Sequence, residues 1–195
     1  MMTYQLRQAI LDDQAELEEL IARSARTLGA RDYTSRQIEA ALLGAFGVDT
    51  QLIADGTYFV AESAGRIVGC GGWSRRRTLF GSSARAERDD IELDPRTEPA
   101  RIRAFFVDPE FARQGIGRAL LERCEAEARA HGFSRLELMA TIGGVPLYRA
   151  FGYTARQPVQ YELDPDLTIE FVPMGKSVDP EGEAARTGPA VHGSA

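Results

Sequence analysis

The sequence predicts a mixed α/β fold of the α+β kind, with about seven strands and about four helices. Three observations carry that prediction. Thr57–Ser63 (TYFVAES) and Arg66–Trp73 (RIVGCGGW) are apolar runs separated only by Ala64-Gly65, a spacing that makes an antiparallel hairpin. Ile102–Leu121 (IRAFFVDPEFARQGIGRALL) passes from an apolar run through a basic, glycine-spaced loop into a helical pattern. The hairpin ahead of this stretch breaks any regular βαβ order.

The elements follow in chain order. Thr3–Ala9 alternates as a first strand with Tyr4 and Leu6 on one face. Asp12 or Asp13 can cap a helix to about Leu28, whose Leu17, Leu20, Ile21 and Leu28 fall near helical spacing. Thr34 or Ser35 can cap a second helix through Leu43, ended by Gly44 and Gly47. The hairpin comes next, and Ser82–Pro99 is polar enough to be a long loop. Arg101–Val107 is a strand. Gly115–Ala130 is a helix with Ile116, Leu120, Leu121, Cys124 and Ala128 facing inward, closed at Gly132. Arg135–Ala140 is a strand, Pro146–Phe151 a short helix stopped by Gly152, and Tyr153–Leu163 and Leu167–Met174 are two final strands.

The chain has 195 residues, 44% of them hydrophobic, and a net charge of −6. That length suits one domain, taken as residues 1–176. Ser177–Ala195 lacks aromatics and is rich in Gly, Pro and charge, so residues 177–195 are expected to be a disordered tail. The acidic balance argues against nucleic-acid binding. No apolar run is long enough for a membrane span, and the N-terminus lacks the pattern of a secretory leader, so the expected compartment is the cytoplasm. Cys70 and Cys124 lie in apolar patterns and read as buried free thiols rather than a disulfide. His131 and His192 have no metal-ligand spacing around them, and no metal is expected.

The functional signal lies in Ile102–Leu121. A strand, a loop and a helix N-terminus in this order present unpaired N–H groups at the positive end of a helix dipole. Such a place suits an anion, most often phosphate, and glycine lets the ligand approach the backbone. The other reading of Gly115 and Gly117 is close helix packing. A dinucleotide fingerprint would explain Gly115-x-Gly117 and Glu137, 20 residues further on. Leu120 occupies its third glycine position, however, and seven residues, Asp108–Gln114, separate the strand from Gly115. A P-loop lacks its Gly-Lys-Ser/Thr.

Two segments, FFVDPEFARQGIGRALLERCEAEARAHGF (Phe105–Phe133) and LELMATIGGVPLYRAFGY (Leu136–Tyr153), together with the hairpin FVAESAGRIVGCGGW (Phe59–Trp73), resemble the GNAT superfamily of acetyl-CoA-dependent N-acetyltransferases. The resemblance implies a mixed, mostly antiparallel central sheet flanked by helices, with acetyl-CoA as co-substrate. It implies that Arg113, Gln114, Gly115, Ile116, Gly117 and Arg118 hold the cofactor pyrophosphate through backbone N–H groups. Pantetheine would pair with Phe106 and Val107 like an added strand. Ala112 stands where the family often opens its loop with Arg or Gln. Thr141 stands where it often has Asn, and offers only one hydroxyl donor. Tyr148 matches the tyrosine of the pattern Tyr-x-x-x-Gly-aromatic, which protonates the departing thiolate; its bland reading is a core aromatic, and Tyr153 is the more structural of the two. A backbone N–H near Val107 would stabilise the oxyanion. The carboxylates Glu62, Asp108, Glu110 and Glu137 are available as bases, and none is assigned.

The implied acceptor is a primary amine of a small molecule or peptide, and the alternative is a non-catalytic module that binds acyl-CoA or a small ligand. Arg75, Arg76 and Arg77 suit an acidic acceptor group, whereas Asp89–Glu98 suits a cationic one; the two patches can also neutralise each other. Tyr33 and Phe46 are expected either to line the acceptor cleft or to belong to the core. Edge strands near Tyr153–Met174 make a homodimer an expectation.

Overall fold

The computed structural model describes residues 3–78, 81 and 91–178. Its centre is an eight-stranded sheet. The strands are β1 (Gln5–Gln8), β2 (Tyr58–Ser63), β3 (Arg66–Ser74), β4 (Ala100–Val107), β5 (Arg135–Ala140), β6 (Thr154–Ala155), β7 (Val159–Asp164) and β8 (Leu167–Ser177). Their order is β1-β2-β3-β4-β5-β8-β6, with β7 pairing to β8. Only β4 and β5 run parallel; the other pairs are antiparallel. The helices are α1 (Gln14–Leu28), α2 (Ser35–Ala41), α3 (Thr50–Ala54), α4 (Ile116–Ala130) and α5 (Val145–Ala150).

One core contains α4, with Ile116, Leu120, Leu121, Cys124 and Ala128 all buried on the sheet, as their spacing predicts. The other contains Leu17, Leu20 and Ile21 of α1 with Ile38 and Leu52. Each buried Leu or Ile contributes about 1.5–3 kcal/mol of hydrophobic stabilisation. The glycines of β3 make these contacts close. A Cβ on Gly69 would lie 2.5 Å from Ile116, and one on Gly71 would lie 2.8 Å from the Phe105 ring. Bare backbone at Gly69 therefore lets the first turn of α4 settle on the sheet. Both cysteines are free and buried.

Several expectations need correction. Asp13 leads into α1 but makes no capping bond; its carboxylate accepts from the Ile10 N–H and pairs with Arg7 instead. Thr34 does cap α2, in a box with Gln37, but that helix stops at Ala41 rather than Leu43. The short α3 is additional: five residues show no period, and only its Asp49 cap marks it. The strand expected over Tyr153–Leu163 splits into β6 and β7 around Pro158, whose ring nitrogen cannot donate to a ladder. Ser177 ends β8, and Val178 is buried with its N–H donated to the Ser134 carbonyl at 2.8 Å. Both belong to the folded unit rather than to the tail. Residues 179–195 of that tail and 82–90 of the expected loop lie outside the described residues. The remainder of the loop docks, with Leu93 buried and its N–H donated to the Arg75 carbonyl. No helix among the described residues is long and apolar enough to cross a membrane.

Candidate active site

The site begins where the sheet comes apart. β4 and β5 pair only at Ala100↔Leu136 and Arg101↔Glu137. Both strands continue beyond that, so Ile102–Val107 has a ladder partner in β3 but none in β5. A bulge accompanies the separation. Between the pairs Cys70↔Phe106 and Gly72↔Arg103, β3 supplies one residue, Gly71, and β4 supplies two, Ala104 and Phe105. Ala104 takes φ +56°, a left-handed conformation that is costly for a side-chain-bearing residue. Its carbonyl accepts the Tyr58 hydroxyl at 3.3 Å. A bulge bends its strand, and β4 past Arg101 has an open edge along the gap.

The glycine loop starts at the end of that edge. Asp108 donates its N–H to the Val68 carbonyl at 2.9 Å, and its carboxylate caps the turn Pro109–Phe111 by accepting the Glu110 N–H at 3.0 Å. Arg23 and Arg66 also bind this buried carboxylate, each at 2.8 Å. Arg113 (φ +65°) and Gly115 (φ +88°) then turn the chain into α4. No side chain caps the helix at Gly115, so its first N–H groups point out of the helix. The Gln114 side chain braces the loop through the Glu110 carbonyl, and the Arg118 guanidinium pairs with Glu122 over the Phe151 ring. Both side chains are therefore engaged within the protein. A Cβ on Gly117 would meet Leu147 at 3.3 Å and Val107 at 3.8 Å, so α4, β4 and α5 converge there.

Thr141 and Tyr148 complete this end. Thr141 follows β5, and the turn after it leads into α5. A Cβ on Gly144 would lie 3.2 Å from the Thr141 hydroxyl and 3.3 Å from the Tyr148 ring, so bare backbone lets the two flank one point. The Tyr148 ring meets Phe105 and Tyr153 edge-on, with centroids 6.3 and 5.8 Å away. Burial pushes its phenol well above the ordinary value of 10. Tyr153 is buried in the core, as its structural reading expects.

At the gap between β4 and β5 a cleft is lined by Phe46, Arg103, Phe106, Met139, Thr141 and Phe171, among others. Phe46 borders this cleft and, like Tyr33, also belongs to the core. Tyr33 acts beside it: its hydroxyl donates to the Glu170 carbonyl at 2.8 Å and accepts the Ile142 N–H at 2.9 Å. Burial raises its phenol to about 12, which keeps that donor proton in place. Arg103, Met139 and Phe171 are functional candidates that the sequence reading missed. They are single side chains in three separate strands and carry no local motif.

The arginine triplet is neutralised. Arg76 grips Asp55 at 2.8 Å, Arg75 meets Glu92 at 3.1 Å, and Arg77 meets Glu98 at 3.4 Å. Each carboxylate considered as a base is likewise engaged: Glu62 with Arg7, Asp108 with Arg23 and Arg66, Glu110 with Arg66, and Glu137 with Arg101.

Comparison with known proteins gives these features a context. The family model described as "Acetyltransferase (GNAT) family" matches residues 17–153. A protein named IAA acetyltransferase from Azospirillum brasilense is 33% identical over 124 residues, which are 60% of this chain and 69% of that one. Among solved structures, a GCN5-related N-acetyltransferase from Rhodopseudomonas palustris aligns with a TM-score of 0.66 at 20% identity, covering 91% of this chain and 98% of the other. PaiA N-acetyltransferase from Thermoplasma acidophilum, solved with coenzyme A, aligns with a TM-score of 0.61 at 15% identity, covering 90% and 99%.

Proposed function

The chain belongs to the acetyltransferase (GNAT) family, and on that premise we propose that this acyltransferase moves an acetyl group from acetyl-CoA to a primary amine of a small molecule or peptide, with Tyr148 as general acid. The observation that carries the reading is the open edge of β4 running into the uncapped N-terminus of α4. An extended amide chain fits the first, and a pyrophosphate fits the second. When bound, acetyl-CoA supplies a thioester whose carbonyl takes the amine and whose sulfur leaves.

Phe106 and Val107 offer main-chain donors and acceptors to the pantetheine arm. Arg113–Arg118 offers N–H groups to the pyrophosphate, and the Thr141 hydroxyl adds one hydrogen bond at the rim. An N–H near Val107 is suited to the carbonyl oxygen as negative charge gathers on it. Tyr148 keeps its proton at neutral pH, hands it to the sulfur as the C–S bond breaks, and regains one from the amine nitrogen or from solvent. Glu62, Asp108, Glu110 and Glu137 are each held in an ion pair, so in this reading water takes the amine's proton. Two free buried thiols fit a reducing cytoplasm.

The test is a panel of amines offered with acetyl-CoA, followed by free-thiol release and mass spectrometry. Coupled thiol release and amine acetylation are expected. Acetyl-CoA binding without acetylation of any amine would make the chain a non-catalytic acyl-CoA-binding module.

A further inference from the structure

The geometry points to Tyr33 as a positioning residue whose hydroxyl wedges open the β5–β8 ladder and thereby sets where Thr141 and Tyr148 stand. This rests on the acetyltransferase reading and adds to it a residue outside its motifs. β5 and β8 are antiparallel, and their last registered pair is Ala140↔Val172. Continuing that register by two residues sets Ile142 opposite Glu170. Pro173, opposite Met139, turns its carbonyl away from β5 to accept the Arg156 N–H at 2.8 Å. Main-chain groups alternate between the two edges of a strand, so the Val172 and Glu170 carbonyls face the β5 side. An undisturbed ladder would join the Ile142 N–H directly to the Glu170 carbonyl at about 2.9 Å. The Tyr33 hydroxyl stands between them instead. It accepts the Ile142 N–H at 2.9 Å and donates to the Glu170 carbonyl at 2.8 Å.

Two further contacts hold the wedge. Gln37 of α2 donates its side-chain amide to the Thr168 carbonyl at 2.7 Å, the next carbonyl along the same edge. Side chains from α2 and the connection before it thus take the place beside β8 that β5 vacates after Ala140. A Cβ on Gly143 would lie 2.8 Å from the Asp32 carboxylate, so bare backbone there lets this connection settle on the turn after β5. The path from the wedge to Tyr148 is short. Thr141 precedes the bridged N–H by one residue. Ile142–Gly144 forms a single turn, with the Gly144 N–H donated to the Thr141 carbonyl at 3.0 Å, and α5 begins at Val145. A ladder closed at Ile142 would draw that turn toward β8 and carry α5 with it.

The experiment uses Tyr33→Phe, which keeps the ring in the gap and removes only the hydroxyl. Hydrogen exchange of the Ile142 amide should quicken by about tenfold or more in the variant. Single-turnover acetyl transfer should slow by about tenfold or more, as expected for a misplaced reacting group. Coenzyme A affinity should change less than about threefold, because the β4 edge and the start of α4 are untouched. Since Tyr33 acts through Tyr148, the double variant should be less than about twofold slower than Tyr148→Phe alone. An unchanged Ile142 exchange rate or an unchanged transfer rate would overturn the assignment. So would full multiplication of the two losses in the double variant, which is the mark of a purely structural role. Faster Ile142 exchange in Tyr33→Phe, with no amine acetylated by the unmodified protein, would uphold the wedge and overturn the acetyltransferase reading.

Discussion

Between Ile102 and Arg118 the protein exposes mainly its own backbone: a strand edge released by a bulge at Ala104, then the first N–H groups of α4 behind Gly115. In the cleft beside it the surface is made of side chains instead, drawn from the segment before α3 and from β4, β5 and β8. The first half is fixed by local chain geometry, so most side-chain changes there matter little but an added Cβ at a glycine matters. The second half depends on a frame of buried charges, because separated segments have to be held in place. Asp49 at the start of α3 binds Arg103, and Asp55 at its end binds Arg76.

That contrast can be broken from either side. The largest effect is expected at the frame. Asp49→Ala removes the buried carboxylate that holds the Arg103 guanidinium at 2.7 Å and should cost about 3–5 kcal/mol in urea unfolding. A loss below about 1 kcal/mol, within the range of surface pairs, would mean that this ion pair does not hold the cleft together. The backbone half should respond to Gly117→Val, which pushes a branched side chain toward Leu147 and Val107, where the proposed ligand would meet the chain. Coenzyme A affinity should fall about tenfold, or about 1.4 kcal/mol, in a variant that remains folded by circular dichroism. Unchanged affinity by calorimetry would remove the loop from the binding site.

A smaller effect is expected from acid. Hydrogen bonding to Arg76 holds the Asp55 carboxyl below its ordinary range, and Arg7 does the same for Asp13. A depressed folded pKa gives stability that is present above the unfolded value, about 3.9, and lost as the pH falls through the folded one. The melting temperature should therefore hold from pH 7 to 5 and decline below about pH 4. Asp55→Asn should flatten that decline. An equally steep decline in the variant would place the acid sensitivity elsewhere.

The same contrast explains what the sequence could say. The donor half is written in one continuous stretch. Its strand, its Asp108 turn, Gly115 and the inward face of α4 are all local signals, and the helix caps and hairpin beside them are local too. Tyr148 was legible for the same reason, four residues before Gly152. The acceptor half has no such spelling. Arg103 looks like one more charge in a strand, and only the fold reveals Asp49 opposite it. Phe171 sits in a strand that patterning could place but not pair. The split at Pro158 and the burial of Val178 were missed because each turns on a single residue at an element's end, where periodicity has the least to say.

The most direct test of the account is the single-turnover rate of Tyr148→Phe with saturating acetyl-CoA and an amine acceptor. The substitution keeps the ring that packs against Phe105 and Tyr153 and deletes only the transferable proton. Acetyl-CoA affinity should stay within about twofold, while the rate should fall about 10²-fold. A folded Tyr148→Phe protein that turns over at the unmodified rate would contradict the account and remove Tyr148 from the chemistry.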